Sequence, residues 1–112
     1  MIDGLTNSLE RYMDLLSARQ KVVASNIANA DTPGYKTKDL NFQSDLQAAL
    51  ASGMPQAVEV GGLPVKNDGN DVSLDRESRL LAENDLRFSL ASILMRSQIQ
   101  SVKNAISEGK NL

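Results

Sequence analysis

Four oxygen-bearing side chains lie close together at Asp68, Asn70, Asp71 and Asp75, the residue types that hold calcium. An EF-hand loop needs Gly at its sixth position and Glu at its twelfth. Counted from Asp68, those positions are Ser73 and Arg79, so the loop does not match and the cluster reads as a solvated turn. Gly61-Gly62 lacks the GxxxxGK(S/T) frame of a phosphate loop. The remaining carboxylates are scattered, and none forms a convergent acid–base pair. The chain has no His and no Cys. That removes Cys/His metal sites, Ser-His triads, thiol nucleophiles and disulfide frameworks. Met13 and Met95 fall on apolar stripes and read as packing rather than redox groups. The expectation is a protein with no catalytic residue, no metal and no cofactor.

The polar residues with most to do are those that bind backbone. Asn26 and Asn29 are three apart and share a helix face. Each amide donates and accepts, so near a helix end they can tie off free carbonyls or bridge to a neighbouring subunit. Asp31 and Thr32 bond local backbone, as such residues do in turns. Thr32 precedes Pro33 and is pushed out of helical geometry. Thr32-Pro33-Gly34-Tyr35 fits a type II turn, with Pro second and Gly third where a positive φ is required. Tyr35 adds an apolar ring with a polar tip.

Two long helices flank this turn. Leu9, Met13, Leu16, Val23, Ile27 and Ala30, with Gln20 in the gap, step alternately by four and three, the spacing of a helix–helix seam. This predicts a helix from about Leu5 to Ala30, roughly 36 Å long, with Asn7 and Glu10 as a capping box. Leu81, Asn84, Phe88, Ala91, Met95, Gln98, Val102 and Ala105 repeat the pattern. They predict a second helix from about Asp75 to Glu108, roughly 50 Å long, with Gly109 as its C-cap. Leu80, Leu90, Ile93, Leu94, Ile99 and Ile106 make its apolar surface wider than one seam, so it needs more than one neighbour. Between the helices lie prolines 55 and 64 and glycines 53, 61, 62 and 69. A short helix over Phe42–Ala51 is expected there. Val58–Val60 and Leu63–Lys66 read as short strands, and a hairpin with Val72–Leu74 is drawn through the Asn67–Asn70 turn.

Of 112 residues, 41% are hydrophobic but only 4% aromatic. Such a chain must pack on Leu, Ile, Val, Met and Ala, which favours helix on helix. A net charge of −2 and an acidic pI near 5.0 argue against nucleic acid as a partner. The opening residues lack the basic and apolar regions of a secretory signal. No stretch approaches the roughly 20 apolar residues that span a bilayer. Neither a cleaved signal peptide nor direct membrane insertion is expected.

The run Ala24-Ser25-Asn26-Ile27-Ala28-Asn29-Ala30-Asp31-Thr32-Pro33-Gly34-Tyr35-Lys36 closely resembles the N-terminal signature of the flagellar rod, hook and related axial proteins. Lys36-Thr37-Lys38-Asp39-Leu40-Asn41-Phe42, Asn84-Asp85-Leu86-Arg87-Phe88 and Ala105-Ile106-Ser107-Glu108-Gly109-Lys110 narrow the resemblance to the short proximal members of the basal body rod family. The resemblance covers both helices but not the stretch from about Asp45 to Val72.

The resemblance implies a mainly all-α subunit. Its terminal helices form a coiled-coil-like hairpin, with a loop-rich middle that has room for a short helix or small β-hairpin. Residues 1–35 and 76–112 would be the assembly core and residues 36–75 a separate middle segment. The family motif is carried by Asn26, Ala28, Asn29, Asp31, Thr32, Pro33, Gly34 and Tyr35. The assembly interface is assigned to Leu9, Met13, Leu16, Val23 and Ile27 of the first helix. From the second helix it takes Leu81, Phe88, Leu90, Leu94, Met95, Ile99 and Val102. Implied partners are further copies, other rod proteins, a FliE-like adaptor and the MS ring at the rod base, reached through the type III export apparatus into the periplasm. The rival readings are another short rod protein of the FlgC type and, from a different class, a cytoplasmic helical adaptor or export chaperone.

Overall fold

The computed structural model describes residues 2–50 and 55–110. In chain order the elements are α1 (Ile2–Ala28), β1 (Lys38–Leu40), α2 (Phe42–Leu50), β2 (Ala57–Glu59) and α3 (Leu74–Lys110). The long helices run antiparallel: Asn84 of α3 meets Leu16, and Glu77, seven residues earlier, meets Asn26. The molecule measures 72 × 24 × 17 Å, a rod-shaped hairpin. Among the described residues no helix is long and apolar enough to cross a membrane.

The heptad stripes make the hairpin. Leu15, Leu16 and Val23 of α1 and Ala91 of α3 are buried. Each buried Leu or Val stabilises the pair by about 1.5–3 kcal/mol. The contact line on α3 is unusual because its heptad positions hold Glu77, Asn84 and Ala91, all buried. Polar and small side chains at these positions let the helices approach and set their register, as a polar residue in a coiled-coil seam does.

Helix ends differ from the expectation in two places. α1 begins by Ile2, so Asn7 and Glu10 lie inside the helix and form no capping box. Nothing between Ile2 and Asn7 breaks a helix except Gly4, at about 1 kcal/mol. α3 continues through Gly109 to Lys110, so Gly109 is not its C-cap. The start of α3 is fixed instead by Ser73, whose Oγ accepts the Arg76 N–H at 3.2 Å, an N-cap. Asp75 and Glu77 then occupy the first turn, as the helix dipole favours.

The middle segment also pairs differently. β1 lies antiparallel to β2, with Lys38 opposite Glu59 and Leu40 opposite Ala57. The expected hairpin of Leu63–Lys66 with Val72–Leu74 does not form. Its turn is present, with Gly69 N–H donating to Lys66 O at 2.9 Å and Gly69 at φ 84. One further cross-turn bond forms, Lys66 N–H to Asn70 O at 2.8 Å, but the ladder ends there: Pro64 lacks a donor, the Val72 N–H goes to Asn70 Oδ1 and Leu74 already belongs to α3. The short helix α2 runs to Leu50. Its expected last residue, Ala51, and most of the Ser52–Pro55 turn lie outside the described residues.

Phe42, the first residue of α2, packs against the hairpin. Phe42 meets Tyr12 edge to face, with centroids 6.0 Å apart at 81°. The guanidinium carbons of Arg19 and Arg87 lie 5.3 and 5.5 Å from the Phe42 ring centre, positions where the ring quadrupole attracts a cation.

Candidate assembly site

Pro33 and Gly34 turn the chain sharply after α1. Tyr35 N–H donates to Thr32 O at 3.2 Å, and Gly34 has φ 75, the geometry of a type II turn. Asn29 Nδ2 donates to the Ser25 carbonyl at 2.8 Å, and Thr32 Oγ1 donates to Asn29 Oδ1 at 3.0 Å. The Ser25 carbonyl also accepts the Asn29 backbone N–H at 3.0 Å, so the Asn29 side chain doubles the last helical bond.

Asn26 turns inward and is fully buried. Its Nδ2 donates to Lys38 O at 2.7 Å and to Glu77 Oε2 at 3.1 Å. Its Oδ1 accepts from Tyr35 Oη and from Lys38 N, both at 3.1 Å. The full hydrogen-bonding capacity of one amide is used. Against Lys38, the side chain makes the pair of bonds that the backbone of another strand would make, so a two-stranded ribbon too small to stand alone is fastened to α1.

An ionic chain extends this joint. Arg19 grips both oxygens of Asp39 at 3.2 and 3.1 Å. Arg76 bridges Asp39 at 2.9 Å and Glu77 at 2.8 Å. Glu77 is fully buried, a position a carboxylate tolerates only when paired and hydrogen-bonded. Asn26, Glu77, Arg76, Asp39 and Arg19 thus link α1, β1 and α3 in one network.

The second turn is locked to the first. Asn70 Nδ2 donates to Asn29 O and Thr32 O, both at 2.8 Å. Lys66 Nζ donates to Ala30 O at 3.0 Å, and Gly34 N–H to Asp68 O at 2.9 Å. Asp71 Oδ1 accepts the Thr37 N–H at 2.6 Å. Burial alone would raise the Asp71 pKa, but the hydrogen bond from the Thr37 backbone, with Lys36 nearby, outweighs it and holds the carboxyl below its ordinary value. The Thr37 hydroxyl works in the same direction although it makes no hydrogen bond of ordinary geometry. The solvated-turn reading therefore fails for Asn70 and Asp71, which are buried. It holds for Asp68, an exposed turn residue, whereas Asp75 is solvated, with its side chain 90% exposed, but stands on the first turn of α3. Among the described residues no group of acidic side chains is placed to hold a metal.

The structure divides the residues expected at an interface. Leu16 and Val23 are buried inside the hairpin. Leu9, Met13, Leu81, Met95 and Val102 are half-buried along the seam. Ile27 and Phe88 are at the margin of exposure, and Leu90, Leu94 and Ile99 stand out in solvent. Of the motif, Asn26 and Tyr35 join the network, Asn29 and Thr32 bond each other at the helix end, and Ala28, Asp31 and Pro33 stay on the surface. Sequence reading missed Arg19, Asp39, Arg76 and Glu77 and set Asn70 and Asp71 aside as a solvated turn. The visible signal at Glu77 was a carboxylate on the seam line, seven residues before Asn84.

A slender helical hairpin with a locked turn, and with one long helix left apolar on its outer face, defines a structural building block. The flagella basal body rod protein family matches residues 13–36, the stretch holding half of α1 and the whole turn. The chain is 30% identical to the flagellar basal body rod protein FlgB of Escherichia coli, over 97% of this chain and 99% of that one. It is 32% identical to FlgB of Borrelia hermsii, over 86% and 90%. It is 29% identical to FlgB of Salmonella typhimurium, over 97% and 99%. The chain belongs to the flagellar basal body rod protein family.

Proposed function

We propose that this chain is a structural, non-catalytic subunit of the proximal flagellar rod, built into the rod by contacts between the long helices of neighbouring copies. One observation carries the reading. Leu86, Leu90, Ile93 and Leu94 of α3 are 54–62% exposed, a continuous apolar face of the kind that marks interfaces. It lies on a chain similar over nearly its whole length to FlgB proteins. Residues 1–35 and 76–112 form the assembly core, and residues 36–75 brace its turn end. At the rod base the subunit meets a FliE-like adaptor and the MS ring. Other rod proteins stack beyond it, and it reaches the periplasm through the type III export apparatus without a cleaved signal.

Leu94→Asp, expressed in a strain lacking this protein, tests the reading. The expected outcome is normal export with no rod and no swimming. Unchanged swimming would overturn it, and so would a function that survives with the protein confined to the cytoplasm.

A further inference from the structure

Two depressions on one side of the hairpin share Ser17 and Phe88 and form one groove along the α1–α3 seam. Its floor is apolar, made by Met13, Phe88 and Met95. Its rim is acidic, with Glu10 and Asp14 from α1 and Asp85 from α3, all exposed. Phe88 is 39% exposed, although it sits at a seam position. Asn84 lines the same groove. Its Nδ2 is used by Leu16 O at 2.8 Å and Gln20 Oε1 at 3.0 Å, but its buried Oδ1 has no hydrogen-bond partner. A buried acceptor left unpaired is costly.

The same chain carries the complement. Arg96, Ile99, Lys103 and Ile106 step by three, four and three along α3, so they form one stripe of alternating basic and apolar side chains. All four are exposed. The stripe continues the side of α3 that bears Phe88 and Met95. At 1.5 Å per residue α3 is about 15 Å longer than α1, so the end of this stripe runs past the start of α1. Because α3 is a single helix, the stripe cannot fold back into its own groove. A second copy displaced along the axis can supply it.

We infer that the Arg96–Ile106 stripe of one copy seats in the acid-rimmed groove of another, with its basic side chains on Glu10, Asp14 and Asp85 and its isoleucines on Phe88 and Met95. This rests on the self-assembling reading above and names the two faces that meet. It is a different contact from the Leu94 face.

Purified full-length chains test it by sedimentation. Arg96→Glu with Lys103→Glu makes one variant; Glu10→Lys, Asp14→Lys and Asp85→Lys make the other. All five positions are exposed, and circular dichroism checks that each variant keeps its helix content. Each alone should self-associate about tenfold more weakly than the native chain, since rim charges set encounter and specificity. An equimolar mixture should regain association, because reversed stripe then meets reversed groove. If neither variant is weakened, or if the mixture stays apart, the contact is wrong. Normal association by both variants, together with lost swimming in Leu94→Asp, would sink this contact and leave the rod function standing.

Discussion

Asn26 shows how much one side chain can hold. Its amide bonds to the backbone of Lys38, the Tyr35 hydroxyl and the Glu77 carboxylate, with no exposed surface. Asn26→Ala would leave both Lys38 backbone groups and one oxygen of a buried carboxylate unpaired. An unsatisfied buried polar group costs about 1–3 kcal/mol and a charged one more, so the expected loss is about 3 kcal/mol or more, read as a lower urea midpoint. Asp71 makes a pH-dependent contribution. Its folded pKa lies below its ordinary value of 3.8, so its stabilisation is complete above about pH 4 and is lost as pH falls through the lower folded value. Asp71→Asn keeps an acceptor for Thr37 but cannot titrate. The stability difference between native and variant protein should therefore shrink on acidification, and urea midpoints measured from about pH 6 to pH 3 check this. A constant difference would mean the carboxylate's charge is irrelevant.

At the scale of elements, α1 and α3 are unequal partners. Among its described side chains α1 turns the apolar residues inward and leaves Leu5 and Ile27 as the exposed large ones. α3 fully buries only a narrow line of Glu77, Asn84 and Ala91 and leaves Leu86, Leu90, Ile93, Leu94, Ile99 and Ile106 exposed. Its last turns extend past α1 and depend on helical propensity alone, which is marginal in water. In a dilute monomer, amide exchange should be slowest from Glu77 to Ala91 and approach unprotected rates beyond Ile99. Assembly should then slow the far end by several orders of magnitude. Uniform protection along α3 in the monomer would show that it needs no neighbour.

In the proposed reading the whole molecule separates folding from assembly onto different faces. Leu16 is fully buried between the helices, whereas Leu94 is 55% exposed. A carboxylate at Leu16 must enter the interior, and burying an unpaired charge is among the few changes that cost more than about 4 kcal/mol. Leu16→Asp is expected to melt the monomer, seen as lost helical circular dichroism. Leu94→Asp changes a surface position and should stay within about 0.5 kcal/mol of native stability while abolishing assembly. If both melted alike, the outer face of α3 would belong to the fold rather than to its neighbours.

Periodicity alone determined the two helices and that each must bury a stripe against a partner; their antiparallel pairing was implied by the family resemblance and is fixed by the tertiary contacts. Local chemistry likewise determined the type II turn, since Pro33 and Gly34 restrict the backbone whatever surrounds them. The family signature was legible for the same reason: it is a contiguous run of residues. Only the tertiary structure decided the rest. The bonds from Asn26 to Lys38 and Glu77 span 12 and 51 residues, and those from Asn70 to Asn29 and Thr32 span 41 and 38. No local pattern encodes such partners. They exist because buried amides and carboxylates must find one another once the helices exclude water, and that requirement appears only when the chain has folded.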